Sequence, residues 1–121
     1  MRRVLVIEDD ANDAALTRRA ALRAGLFPDC VATGEEAISC LLKNTYAYIL
    51  IEPSLRGLNL PLIISLVNRQ DRRAPIVVIT KDSTLIGERK LREMGVQHYL
   101  VKPASDLELD MVLNNAKSND L

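Results

Sequence analysis

The stretch Val4-Leu5-Val6-Ile7-Glu8-Asp9-Asp10 sets four consecutive apolar residues directly against three consecutive carboxylates. A run that is apolar at every position, with no period-two alternation, reads as a strand covered on both faces. Further such runs lie at residues 48–51, 76–79 and 99–101, with a weaker one at 29–32. Five amphipathic stretches separate or follow them, at residues 12–24, 35–43, 59–69, 84–94 and 106–116. Short strands alternating with helices predict an α/β fold, a (βα)5 unit with a five-stranded parallel sheet and right-handed crossovers.

The punctuation fits this pattern. Gly25 and Gly95 stand where helix carboxyl ends need a residue that tolerates positive φ. Asp10, Thr33, Asn59, Ser83 and Ser105 are the expected N-caps, their side-chain oxygens accepting from free backbone N–H groups. Pro75 opens a strand, where its missing donor is tolerated. Pro53 drives Glu52 away from helical geometry, so the third strand should end at Glu52.

A chain of 121 residues is one domain by length. Residues 1–121 are read as that single domain, with a frayed tail at 117–121. Sixteen Lys and Arg balance 16 Asp and Glu, which argues against a surface built to neutralise a phosphate backbone. Aromatic residues make up only 3%, too few for a stacking platform, so no direct nucleic-acid binding is expected. Cys30 and Cys40 match no metal or CxxC spacing, and with His98 as the one histidine a Cys/His zinc site is excluded. Two free thiols without a secretion signal point to a reducing cytoplasm. The apolar run after Arg2-Arg3 is too short for a signal-peptide core, and the near-apolar stretch 60–67 is too short to cross a bilayer.

In an open parallel sheet, function collects beyond the carboxyl ends of the strands. Those ends carry Glu8-Asp9-Asp10 after the first strand, Glu52 after the third, Thr80 after the fourth and Lys102 after the fifth. Carboxylates, a hydroxyl and an ammonium therefore converge on one edge.

This ordered pattern resembles the receiver domain of bacterial two-component response regulators. It is carried by Val-Ile-Glu8-Asp9-Asp10, Leu-Ile-Glu52-Pro-Ser-Leu-Arg-Gly-Leu-Asn, Val-Ile-Thr80 and Met-Gly95-Val-Gln-His-Tyr99-Leu-Val-Lys102-Pro103, and it covers residues 4–116. The resemblance implies a CheY-like, flavodoxin-like sheet of strand order 2-1-3-4-5. It implies a phosphorelay cycle in which a strand-three Asp takes a phosphoryl group from a histidine kinase, with magnesium held by the acidic pair. Thr80 and Lys102 take the phosphoryl-sensing positions, and Tyr99 that of a switching aromatic. The implied metal ligands are Asp9, Glu52 and the Ser54 backbone carbonyl, with Glu8 acting through water.

Three positions depart from the family. Glu52 stands where the phosphoacceptor is Asp, which pushes the carboxylate forward by about 1.5 Å, one C–C bond. A 1 Å misplacement in a transfer reaction can cost roughly a hundredfold. Lys81 follows Thr80 where the family has a small residue, and Leu60 stands where the turn after the acceptor usually ends in Gly. These departures read as a pseudo-receiver that is no enzyme and acts by binding protein partners, with phosphorylation lost or impaired and magnesium bound weakly if at all. The expected partners are a histidine kinase, an output domain or an effector. A weak homodimer is expected through the face made by the fourth helix, fifth strand and fifth helix, which carries Arg89, Arg92, Glu93, His98, Tyr99, Asp106 and Asp110.

Plainer roles compete at each position. Asp10 reads as a helix cap, Glu52 as a strand-end residue paired with Lys102, Tyr99 as a half-buried ring with a wet hydroxyl, and His98 as a surface residue. Arg72-Arg73 reads as a solvated loop, and Arg18-Arg19, Arg89-Lys90 and Arg92 as polar helix faces. The first alternative function is a conventional magnesium-dependent phosphoaccepting receiver. A remote one is a haloacid-dehalogenase-like phosphatase, whose acid-x-acid motif Glu8-Asp9-Asp10 imitates; that family's nucleophile is Asp, and here the position holds Glu8. A flavodoxin-like cofactor binder needs a phosphate loop where this chain is acidic. Ending just after the last helix, the chain reads as an excised amino-terminal domain.

Overall fold

A computed structural model describes residues 2–118. The elements run β1 (Arg3–Ile7), α1 (Ala11–Arg23), β2 (Phe27–Val31), α2 (Gly34–Lys43), β3 (Tyr48–Ile51), α3 (Leu60–Asn68), β4 (Ile76–Thr80), α4 (Leu85–Glu93), β5 (His98–Val101) and α5 (Asp106–Ser118). The five strands form one parallel sheet in the order β2-β1-β3-β4-β5, as expected.

The unbroken apolar runs are explained by what covers each face. Leu5, Ile7, Ile49, Ile51, Ile76 and Val78 point to one side, where Ala37 and Leu41 of α2 and Ile63, Ile64 and Val67 of α3 meet them. Val4, Val6, Tyr48, Leu50, Val77 and Ile79 point to the other, against Ala20 and Ala21 of α1 and Leu109, Val112 and Leu113 of α5. Burying one such side chain contributes roughly 1.5–3 kcal/mol. Two sided burial therefore fixes which residues of β1, β3 and β4 form the centre, and that centre holds the strand ends rigidly.

β2 pairs only with β1 and is partly exposed along its length. It starts at Phe27, earlier than the residues 29–32 expected, because an edge strand buries too little to need an apolar run and tolerates Pro28. Among the caps, Asp10, Thr33 and Asn59 accept from Asp13, Glu36 and Leu62 N–H, and Ser105 forms a reciprocal pair with Glu108. The α4 cap is Thr84, not Ser83. Its hydroxyl accepts from Gly87 N–H at 3.1 Å while Asp82 Oδ1 holds both the Thr84 N–H and hydroxyl. Gly25 and Gly95 take φ of +76° and +108°, as their C-terminal positions require. The expected tail at 117–121 falls mostly outside the described residues; Lys117 and Ser118 continue α5.

Candidate functional site

Parallel strands β1, β3, β4 and β5 all end on the same edge, so Glu8, Glu52, Thr80 and Lys102 are delivered there by the main chain. The Glu8 and Glu52 N–H groups extend the ladder, donating to Val31 and Ile7 carbonyls at 3.0 and 2.9 Å. Lys102 N–H donates to the Thr80 carbonyl at 2.7 Å. Glu8, Glu52 and Thr80 are buried, an unusual fate for carboxylates that demands partners.

The partner is Lys102. Its ammonium lies 2.7 Å from Glu8 Oε1, 2.9 Å from Asp13 Oδ2 and 3.2 Å from Glu52 Oε1, and its side chain is only 8% exposed. The remaining oxygens of the two buried carboxylates are also engaged: Glu8 Oε2 accepts from Asp10 N–H and Glu52 Oε2 from Ser54 N–H, each at 3.2 Å. Burial pulls the Lys102 pKa down, but bonds to Glu8, Asp13 and Glu52 outweigh it and hold it above its ordinary value. Burial pushes the Glu8 carboxyl up, with Lys102 and the Asp10 N–H opposing. The ammonium thus sits in a nest of three carboxylates and uses all three of its protons.

The pairing of Glu52 with Lys102 expected from the sequence is present. Thr80 stands apart: its hydroxyl accepts a long 3.4 Å bond from Asp82 N–H, and no hydrogen bond joins it to Glu52 among the described residues. Lys81 is exposed beside it. Asp9 is exposed, and Asp10 serves as the α1 cap, with the Asp13 N–H holding its carboxyl below the ordinary value. Tyr99 donates its hydroxyl to the Asp82 carbonyl at 2.7 Å, tying β5 to the loop that leads into α4. Among the described residues, no three His, Cys, Asp or Glu side chains are grouped as a metal site.

Asp13 is the member of the cluster that the sequence did not flag. As a first-turn acid it reads as a partner for the helix dipole, and nothing in its spacing points to β5. On the α4–β5–α5 face, Asp106 and Asp110 are bonded by Arg23 of α1, at 3.4 and 2.9 Å, and Arg92 by Glu88 at 2.7 Å. His98, read as a surface residue, is half-buried, and burial followed by the Arg92 charge pulls its pKa down.

No family model matches the chain. It is 29% identical over 112 residues to the response regulator ArlR of Staphylococcus saprophyticus, covering 90% of this chain and 49% of that protein. It is 25% identical over 109 residues to the transcriptional regulatory protein PcoR of Escherichia coli, covering 90% of this chain and 48% of that protein. The chain therefore spans about half the length of the curated relatives it matches. Among solved structures, the receiver domain of Francisella response regulator 1452 superposes with TM-score 0.84 at 21% identity over 100% of both chains. The receiver domain of the Pseudomonas aeruginosa sensor histidine kinase PA1611, solved with magnesium in its active-site cleft, superposes with TM-score 0.80 at 25% identity, covering 97% of this chain and 98% of that one. With its 2-1-3-4-5 sheet, its buried acid–lysine edge and these relatives, the chain has the receiver fold and is similar along most of its length to the receiver domains that two-component response regulators carry.

Proposed function

We propose that this receiver works by binding protein partners and that its phosphorylation is lost or strongly impaired. The observation that carries the reading is the Glu52 carboxylate. It occupies the acceptor position with one oxygen on Lys102 and the other on the Ser54 N–H. An acceptor so engaged must give up two hydrogen bonds before it can attack a phosphodonor, and its extra methylene places it forward of where an Asp would stand.

Magnesium fits this arrangement poorly. Its small octahedral shell tolerates little distortion, and the position between Glu8 and Glu52 is held by an ammonium already satisfied by three carboxylates. A second cation there meets repulsion from Lys102 and competes for the same oxygens. Asp9 and the Ser54 carbonyl remain as donors, which supports weak binding at most.

The partner surface we assign is α4–β5–α5. No residue of α4 is fully buried, and Leu85 and Ile86 are 77% and 82% exposed. Val101 on β5 and Leu107 and Met111 on α5 add exposed apolar area, while Arg89 and Glu93 supply charges that set register. With Asp106 and Asp110 engaged by Arg23, the free charge of this face lies mainly on α4. Both a histidine kinase or output domain and a second copy meet these features. No helix among the described residues is long and apolar enough to cross a membrane.

The test is incubation with a small-molecule phosphodonor and magnesium, read by intact mass. The parent should gain no phosphoryl mass, whereas the double variant Glu52→Asp, Lys81→Ala should. Equal labelling of the two would replace this reading with the conventional phosphoaccepting receiver.

A further inference from the structure

A first-turn acid of α1 reaches into the strand-end site. Asp13 Oδ2 lies 2.9 Å from Lys102 Nζ. The main chain of Asp13 is held on both sides. Its N–H donates to Asp10 Oδ1 at 2.9 Å, and its carbonyl accepts from the Thr17 hydroxyl at 3.0 Å. Thr17 is buried, and Ala20 and Ala21 seat the same helix in the core. Asp13 therefore meets Lys102 from a firm support.

The distances rank what holds the ammonium. Charge-assisted N–H···O bonds are about 2.7–2.9 Å long. Lys102 meets that range at Glu8, 2.7 Å, and at Asp13, 2.9 Å. Its contact with Glu52 is longer, 3.2 Å. An ammonium carries three protons, and with three carboxylates around it none is left over. The cation paired with the acceptor position is thus held more closely by two other acids, and one of these comes from a helix instead of a strand end.

Phosphoryl transfer is catalysed by positioning and by stabilisation of charge on the transferred group. A phosphoryl group carried by residue 52 stands beyond the carboxylate oxygen that bears it. An ammonium that serves this group has to shift from its present place, and each bond it gives up opposes the shift. Asp13 supplies one of the two shorter bonds.

We propose that Asp13 is a positioning residue that competes for the Lys102 ammonium and withholds it from a phosphoryl group on residue 52. This role rests on the loss of phosphorylation proposed above and adds a further cause to it, beside Glu52 and Lys81. Glu52 impedes its own attack, whereas Asp13 disables the cation that would stabilise the transferred group. Restoring the acceptor alone therefore gives slow labelling, and removing Asp13 as well speeds it.

Two measurements on the full chain test this, with circular dichroism confirming that each variant folds. Nitrogen-15 NMR of the Lys102 ammonium reads the restraint itself: its protons should exchange with water severalfold faster in Asp13→Ala than in the parent. The second measurement is labelling by acetyl phosphate with magnesium, read by intact mass and located by peptide mapping. In that reaction a carboxylate oxygen of residue 52 bonds to phosphorus, the bond from phosphorus to the acetyl oxygen breaks, and acetate leaves with its electron pair. Adding Asp13→Ala to the double variant Glu52→Asp, Lys81→Ala should raise the labelling rate at residue 52 by about threefold, the effect of a partly exposed ion pair, since Asp13 is 25% exposed. A variant that merely lost structure would not gain rate. Asp13→Asn, which keeps the shape, should act in the same direction and takes the place of Asp13→Ala if that variant does not fold. Unchanged exchange at Lys102, or equal labelling with and without Asp13, overturns the proposal. An equal gain from Asp10→Asn overturns it too, because the negative charge of the loop would then be the cause and not the hold on Lys102. Labelling of the unsubstituted chain contradicts the proposed loss of phosphorylation and leaves these comparisons standing.

Discussion

Replacing Lys102 with Met removes the one cation among three carboxylates while keeping most of the side-chain volume. Glu8 and Glu52 side chains are each 6% exposed and stay buried with unbalanced charge, whereas Asp13, at 25%, can turn to water. Removing one partner of a buried ion pair costs about 3–5 kcal/mol. Asp13 adds little to that, so the same range holds for Lys102→Met at pH 7. A domain whose whole stability is of order 5–15 kcal/mol would be left marginal. The acid limb gives a sharper signature. Without the ammonium that opposes it, burial raises the folded-state pKa of Glu8 further above its unfolded value. The folded variant then binds protons before the unfolded chain does, so its stability rises as pH falls through that raised range. Each extra proton is worth about 1.36 kcal/mol per pH unit. In the parent Lys102 opposes the rise at Glu8, so the variant gains more on acidification and the gap between the two should narrow by about 1–2 kcal/mol between pH 7 and 5. At the other extreme, the raised Lys102 pKa gives the parent a contribution that is complete below the ordinary 10.5 and lost as pH rises through the folded value. Urea denaturation of both proteins at a series of pH values reads all three effects. A cost below about 1 kcal/mol at pH 7, or a gap that widens on acidification, would refute the cluster as described.

Two further outcomes follow from the α4–β5–α5 face. Charge reversal of Arg89 and Arg92 should abolish self-association measured by sedimentation, while the same change at Arg18 and Arg19 should leave it unaltered; disruption by the α1 changes would move the interface to α1. Tyr99→Phe removes the bond to the Asp82 carbonyl and should cost about 0.5–1.5 kcal/mol, seen as faster amide hydrogen exchange in residues 82–88 than in the parent; unchanged exchange there would show that Tyr99 does not restrain the α4 approach.

The centre of the fold was readable from β1, β3 and β4 because a strand covered on both faces must be apolar throughout, and that run identifies itself. β2 was faint because one of its edges has no strand beside it, and its residues answer to Arg3 and Tyr46 more than to a core. The Ser83 cap was misplaced by one residue, since Ser83 and Thr84 are chemically interchangeable and only the Asp82 side chain selects between them. Glu8, Glu52, Thr80 and Lys102 were legible because parallel strands force their carboxyl ends together. The contact of Asp13 with Lys102 was not, because it depends on how α1 is set over β1.

Lys102 holds Glu52, and the function we propose requires that this pair leave the domain unresponsive to magnesium and to a phosphodonor. Amide-resolved NMR of the parent, titrated first with magnesium and then with a small-molecule phosphodonor, tests it most directly. The amides of Ser54, Thr80 and Lys102 should move no more than amides remote from the site. Saturable shifts at these three residues, reached at millimolar magnesium or on adding the phosphodonor, would contradict it.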